Sequence, residues 1–343
     1  MTMLPPYSPG VPRRRRWPWV LLGFALLFLF GLASLIGLGL LSAFREGDSG
    51  LEETALSRIK IAERRLAGRG DAKIAIISIT GFIGFGESDG VFAGENLVER
   101  VIGSLRRAAE DPAVKAVVLR IDSPGGGITA SDAIHHELEA FTDSGKKTVA
   151  FFGDLAASGA YYIACGADRI IAQPTSLTGN IGVILHTLNV QGLMQKLGLE
   201  DVTIKSGRQK DILSPFRPLT PEEREGLQQA VDEMFARFVR VVAEGRNLPE
   251  KEVRLLADGR IFTGAQAREK GLVDAIGYET DAIAAAKDLC GEKEATVVEY
   301  HRTRTLLDLF RGVSSRLFPR SEFERISGLF QSPVPRLLYL WSL

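Results

Sequence analysis

Residues 151–164 read FFGDLAASGAYYIA. The apolar run Thr148–Phe152 stops at Gly153-Asp154, and the small residues Ala156-Ala157-Ser158-Gly159-Ala160 lead into Tyr161-Tyr162-Ile163-Ala164. This order reads as a strand, a sharp turn and a helix, with Ser158 at the helix start. A serine there has small neighbours that let another backbone approach, unpaired N–H groups, and the positive end of the helix dipole. An oxyanion forming at that point is partly stabilised before any other side chain contributes. The plainer reading of the same window is an N-cap serine in a packing contact of small residues.

Working outward, Lys73–Ile79 (KIAIISI) is apolar and β-branched, as a buried strand requires. Thr80–Gly94 is glycine-rich and loop-like. Glu95–Ala109 has helical spacing through Leu97, Val101 and Leu105, and Ala116–Ile121 (AVVLRI) is a second strand. Strand, helix, strand implies a right-handed parallel crossover, hence an α/β fold. The second strand ends in Asp122–Gly127 (DSPGGG). Consecutive glycines after a strand free backbone N–H groups to face a passing ligand, although by themselves they also fit a simple turn. Neither a Gly-x-x-x-x-Gly-Lys-Ser/Thr nor a Gly-x-Gly-x-x-Gly pattern is present, so a phosphate loop is not indicated. A helix over Ser131–Phe141 and a strand over Lys147–Phe152 follow.

Beyond Ser158, strands are predicted at Asp168–Ala172, Val202–Lys205 and Thr296–Tyr300, and an extended glycine-punctuated segment at Thr178–Ile184. Helices are predicted at Asn189–Leu197, Glu250–Leu256, Thr263–Gly271 and Asp281–Leu289. Thr220-Pro221-Glu222-Glu223 is a capping box with proline at the first helical position, and its helix extends to about Ala243.

The chain of 343 residues has as many Lys and Arg as Asp and Glu, 42 of each, so net charge favours no nucleic-acid partner. Four arginines, 13–16, precede Trp17–Phe44, which lacks charge and exceeds the ~20 residues that cross a bilayer as a helix. A cleaved signal peptide normally has an apolar region of only about 7–15 residues, so a single-pass anchor with a cytoplasmic N-terminus is the better reading. Leu51–Gly70 has a charged, helical pattern suited to a stalk. From about Arg302, Leu306, Leu307, Phe310, Val313, Leu317 and Phe318 fall near one helical face, and the chain ends LLYLWSL. That tail suits contact with a membrane or a partner subunit better than a last core helix. Two cysteines, Cys165 and Cys290, are too few for a disulfide framework or a cysteine metal site; Cys165 reads as a small core residue, and the sequence leaves their pairing open.

A serine nucleophile needs a base. His135, His136, His186 and His301 sit in no recognisable catalytic motif, and His135 and His136 read as a solvated helix face. No metal-ligand spacing is convincing. A lysine remains, provided that burial lowers its pKa by roughly 3–5 units from its free value.

Five separated motifs occur in order: Asp122–Gly127 (DSPGGG), Ala156–Tyr162 (AASGAYY), Thr178–Val183 (TGNIGV), Lys205–Asp211 (KSGRQKD), and Asp258–Ala267 (DGRIFTGAQA) with Gly271–Asp274 (GLVD). With them the chain resembles the bacterial signal peptide peptidases of the Ser-Lys type, over roughly residues 72–278. The resemblance implies a Clp protease/crotonase-like fold of repeated β-β-α units, Ser158 as nucleophile and Lys210 as general base. It further implies an oxyanion hole of Gly125 with Gly159, and no cofactor. It also implies remnant signal peptides and other short apolar peptides as substrates, and a homo-oligomeric ring or dome in which one subunit completes a neighbour's site. The family usually has serine where Asn180 stands, and there its hydroxyl would hold the lysine; the Asn180 carbonyl oxygen can accept the same bond.

The expected organisation is a basic cytoplasmic N-terminus (1–16), a transmembrane anchor (17–44), a linker or stalk helix (45–71), a Ser-Lys peptidase domain on the extracytoplasmic side of the inner membrane (72–300), and an amphipathic tail (301–343). Two other functions fit parts of the pattern: a crotonase-like acyl-CoA enzyme, and an inactive membrane scaffold with Asn180 as an early loss. The external topology argues against the first, and the presence of both Ser158 and Lys210 against the second.

Overall fold

Lys73–Thr80 shows why the central strands form. Its alternate residues go to opposite sides: Ala75, Ile77 and Ile79 join one buried apolar cluster, and Ile74 and Ile76 join another. A strand covered on both faces reads as a continuous apolar run. The computed structural model describes residues 31, 61–85, 96–302 and 337–340. In chain order the elements are β1 (Ile61–Ala67), β2 (Lys73–Thr80), α1 (Leu97–Glu110), β3 (Val114–Ser123), β4 (Gly125–Gly127), α2 (Ile128–Asp143), β5 (Lys147–Ala157), α3 (Gly159–Ala164), β6 (Arg169–Ala172) and β7 (Leu177–Gly179). Then follow β8 (Ile184–Leu185), α4 (Gln191–Lys196), α5 (Pro221–Arg246), α6 (Glu250–Leu256), β9 (Ile261–Thr263), α7 (Gly264–Glu269), β10 (Ala275–Ile276), α8 (Glu279–Cys290), β11 (Thr296–Arg302) and β12 (Leu337–Leu340).

Among the described residues the main sheet has nine strands, running β1-β11-β2-β3-β5-β6-β10, with β7 branching from β5 and pairing β9. From β11 to β10 the pairings are parallel, as strands joined by helical crossovers must be. Residues of α1, α2, α3 and α5 fill the larger apolar cluster on one side of the sheet. Ala282, Ala285 and Ala286 of α8 cover the other. This mixed α/β architecture carries the crossover expected from the sequence. The capping box at Thr220 is formed, with Thr220 Oγ1 accepting from the Glu223 N–H and the Glu223 carboxylate accepting from the Thr220 N–H.

Four expectations are corrected. Ile61–Ala67 is an edge strand paired antiparallel with β11, not part of a stalk helix. Its charges are held across strands, Arg64 on Glu299 and Glu63 on Lys73, a pattern that imitates a charged helix. Val202–Lys205 forms no strand; Val202 and Ile204 are 80% and 98% exposed and have no sheet to pack on. His135 is buried rather than solvated, set edge-on to Tyr162 with ring centres 5.1 Å apart. Leu337–Leu340, read from the sequence as part of an amphipathic tail, is a strand paired with β4 and β8 of its own chain. Cys165 and Cys290 are both free thiols.

The predicted anchor at 17–44 and most of the tail lie outside the described residues. Among the described residues no helix is long and apolar enough to cross a membrane.

Candidate active site

β5 runs straight into Ser158, and α3 begins at the next residue. To turn from one to the other, Ser158 adopts φ 55° and ψ −117°, a region that costs a side-chain-bearing residue roughly 1–3 kcal/mol. Two backbone bonds hold it there. The Ser158 N–H donates to the Gly179 carbonyl at 2.8 Å, and the Ser158 carbonyl accepts from the Tyr162 N–H at 2.8 Å. Pairing of β5 with β7 brings Gly179 to this position. Ser158 is buried, and its Oγ has no hydrogen-bond partner among the described residues. An unsatisfied buried hydroxyl costs about 1–3 kcal/mol, so a strained and unpartnered serine calls for a functional explanation.

The Asp122–Gly127 motif forms the wall beside it. Ser123 Oγ donates to the Gly81 carbonyl at 2.6 Å and accepts the Gly125 N–H at 3.1 Å. The predicted Gly125 donor is therefore already engaged. The next residue, Gly126, also lies close to the serine turn: a Cβ built on Gly159 would lie 3.2 Å from the Gly126 nitrogen. Glycine is required here by contact. A Cβ on Gly126 would come within 2.0 Å of the Ile83 carbonyl oxygen, and one on Gly159 within 2.4 Å of Ser131 Oγ. The length of the glycine run signals that several of its positions are tight.

β4 is flanked on one side by Ile83, in an isolated parallel bridge, and on the other by a strand. Ile83 donates to the Gly125 carbonyl at 2.9 Å and accepts from the Gly127 N–H at 2.8 Å. On the other side lies β12, with Leu338, Tyr339 and Leu340 opposite Gly127, Gly126 and Gly125. The opposite edge of β12 pairs with β8. A groove between β4 and β8 thus holds an extended segment of the chain itself. The Tyr339 carbonyl oxygen is near the glycines: Cβ atoms built on Gly125 and Gly159 would lie 2.3 and 3.2 Å from it. The Tyr339 ring is fully buried. It stacks on Tyr162 with centres 5.1 Å apart and tilts against Phe238 at 4.6 Å, and its hydroxyl donates to the Met234 carbonyl at 2.9 Å. Below it the Tyr162 hydroxyl donates to Asp132 at 2.6 Å, and Arg237 binds the same carboxylate at 2.6 Å.

Asn180 stands one residue after β7 with φ 49°. Its N–H donates to the Arg260 carbonyl at 2.8 Å, and its Nδ2 to the Gly259 carbonyl at 2.6 Å. Its Oδ1 accepts no hydrogen bond from the described residues, so that atom has capacity for an ammonium. Lys210 lies in a turn, with its N–H on the Gly207 carbonyl at 3.1 Å and its side chain exposed. It is not brought to Ser158 within one chain, since Ser158 Oγ has no partner. Lys205, the other lysine of the motif, is tied to Asp211 at 2.6 Å.

Residues 140–293 match the model of peptidase family S49, a span that includes Ser158, Asn180 and Lys210. The chain is 39% identical over 295 residues to an Enterococcus faecium protein provisionally named signal peptide peptidase SppA, covering 85% of this chain and 86% of that one. It is 35% identical to Protease 4 of Haemophilus influenzae over 66% of this chain and 36% of that protein. It is 36% identical to the chloroplastic serine protease SPPA of Arabidopsis thaliana over 64% of this chain and 33% of that protein.

Proposed function

Since the chain belongs to peptidase family S49 and is a serine protease, we propose that Ser158 is its nucleophile and Lys210 its general base. Ser158 Oγ attacks the substrate carbonyl carbon, and its proton passes to the neutral amine of Lys210. The N–H groups of Gly126 and Gly159 receive the oxyanion. Collapse expels the amine, which takes the proton from Lys210 and leaves an acyl-enzyme on Ser158. Water, deprotonated by Lys210, releases the acid and restores the serine. Asn180 Oδ1 orients the Lys210 ammonium.

The observation that carries this reading is the strained, buried, unpartnered Ser158 beside a groove that already accepts an extended peptide. Substrates add as a strand between β4 and β8, in the place of Leu337–Leu340. They are signal peptides remaining in the membrane after secretion and other short apolar peptides. The 17–44 segment anchors the enzyme in the same bilayer, with residues 72–300 on the extracytoplasmic face in a Clp protease/crotonase-like arrangement.

Lys210 comes from a second copy of the chain in a homo-oligomer. Its own copy leaves it exposed, and the segment before it exposes Leu188, Leu193, Leu197, Val202 and Ile204, apolar side chains that a second copy could cover. Cleavage of an apolar peptide by the full chain in detergent tests this. Ser158→Ala and Lys210→Ala each abolish cleavage. Co-expression of the two inactive variants restores part of it, because some pairs of copies then join an intact serine to an intact lysine. No recovery on co-assembly would place both residues in one chain's site and refute the shared dyad.

A further inference from the structure

Around Lys210 the chain sorts its charges. Arg217 is bound at both ends. Its Nε and Nη2 donate to Asp211 Oδ2 and Oδ1, each at 2.7 Å, while Nη1 and Nη2 donate to Glu223 Oε2 and Oε1 at 2.9 and 2.6 Å. Asp211 also receives Lys205 Nζ at 2.6 Å. Arg208 and Gln209 both bind Glu222. Glu223 in turn accepts the Thr220 N–H and caps α5. Of the charged groups around the lysine, Lys205, Arg208 and Asp211 of its own turn, Arg217 of the following loop, and Glu222 and Glu223 of α5 thus have partners among themselves, while Arg224 and Glu225 of α5 have no ion pair with a described residue. Lys210 has no ion pair with a described residue.

Resting on the reading of Lys210 as the base, we propose that Arg217 is its positioning residue. It fastens the residue next to the lysine onto the start of α5, and it keeps the Asp211 carboxylate from pairing with the lysine. A general base must lose its proton near neutral pH, and a free carboxylate within about 4–6 Å would hold the ammonium charged. Arginine suits this task because its planar fork binds two carboxylates at once and never deprotonates. Arg217, followed by Lys205, holds the Asp211 carboxyl well below the usual carboxylate range, so the acid stays ionised and committed to them.

The test uses the full chain in detergent, with kcat and KM for an apolar peptide measured across pH. In Arg217→Gln, kcat falls about tenfold or more while KM stays within about twofold. The acid limb of the profile moves up by about one pH unit, because Asp211, left with Lys205 as its one cationic partner, then also stabilises the protonated lysine. Arg217→Lys recovers part of both effects. Arg217→Gln combined with Asp211→Asn lacks the freed carboxylate, and its acid limb returns to the wild-type position. An unmoved limb in Arg217→Gln, or a limb still displaced in the double variant, overturns the proposal, since a merely structural role would lower activity without moving the limb in this pattern. Assembly size and melting temperature are followed throughout. If Arg217→Gln does not assemble, Arg217→Lys alone and with Asp211→Asn gives the same comparison. Lys210→Ala separates the two readings: retained activity refutes the base assignment, whereas loss of activity beside a normal Arg217→Gln profile refutes only the role of Arg217.

Discussion

A serine at φ 55° is held against its own preference by the strand before it, the helix after it and the Gly179 carbonyl. That strain keeps Oγ out of the capping bond it would otherwise make to its own helix, and so available to react. The glycines opposite it are fixed by contact rather than by flexibility. Gly126 has the Ile83 carbonyl oxygen 2.0 Å from where a Cβ would be, so Gly126→Ala must displace β4 from Ile83. Loss of one aligned oxyanion donor lowers kcat by about 10²–10³-fold. Steady-state kinetics on Gly126→Ala, with a melting curve to confirm folding, is expected to give a loss in that range. A loss below tenfold in a folded variant would return the donor role to Gly125, despite its bond to Ser123 Oγ.

At the scale of elements, β12 is the informative one. It is a four-residue strand whose Tyr339 ring packs on Tyr162 and Phe238, and under the proposed function it occupies the place where a substrate strand would pair. On that reading an added peptide must displace it, so Leu337–Leu340 competes with substrate. Removing the Tyr339 ring gives up a fully buried aromatic contact of roughly 1.5–3 kcal/mol. Tyr339→Ala is therefore expected to raise kcat/KM for short peptides about tenfold, and truncation after residue 336 at least as much. Unchanged or reduced kcat/KM in both would mean that β12 belongs to the wall of the groove rather than its contents. The same element explains a miss in the sequence reading. LLYLWSL is equally apolar for a membrane, a subunit or a strand, and only the unpaired edges of β4 and β8 select the strand.

Across the whole molecule, stability depends on pH through His135. Burial pushes its imidazole down to about 4 from the ordinary 6.5; Asp132 pulls the other way, and Arg237 and His136 add to the depression. Between those values the unfolded chain binds a proton that the folded chain refuses. The native state is therefore at full advantage above pH 6.5 and loses it as pH falls toward 4, by about 3 kcal/mol. Thermal melts at pH 7 and pH 4.5 are expected to show a fall in Tm that is clearly smaller in His135→Phe. An equal fall in both would assign the acid sensitivity to other groups. Histidine here belongs to the scaffold beneath Tyr162, which agrees with a site whose base is sought among lysines.

Local chemistry made much of this protein legible in its sequence. A β-branched apolar run can be buried on both sides, a Thr-Pro-Glu-Glu start caps a helix, and Ala-Ser-Gly between a strand and a helix marks a tight turn. These features gave the α/β order, the α5 cap and Ser158 without reference to distant residues. What the sequence could not give depends on contacts between residues far apart in the chain. Whether charged Ile61–Ala67 is helix or strand depends on the edge that β11 offers it. That the Gly125 N–H is taken depends on Ser123, whose own hydroxyl is held by the Gly81 carbonyl. That Asp211 is shared by Lys205 and Arg217 depends on a loop folding back onto the start of α5, and that Leu337–Leu340 pairs between β4 and β8 depends on edges more than 140 residues away. Side-chain pattern specifies local conformation, because it acts through neighbours along the chain; hydrogen-bond partners and burial are assigned only when the fold brings the remaining surfaces together.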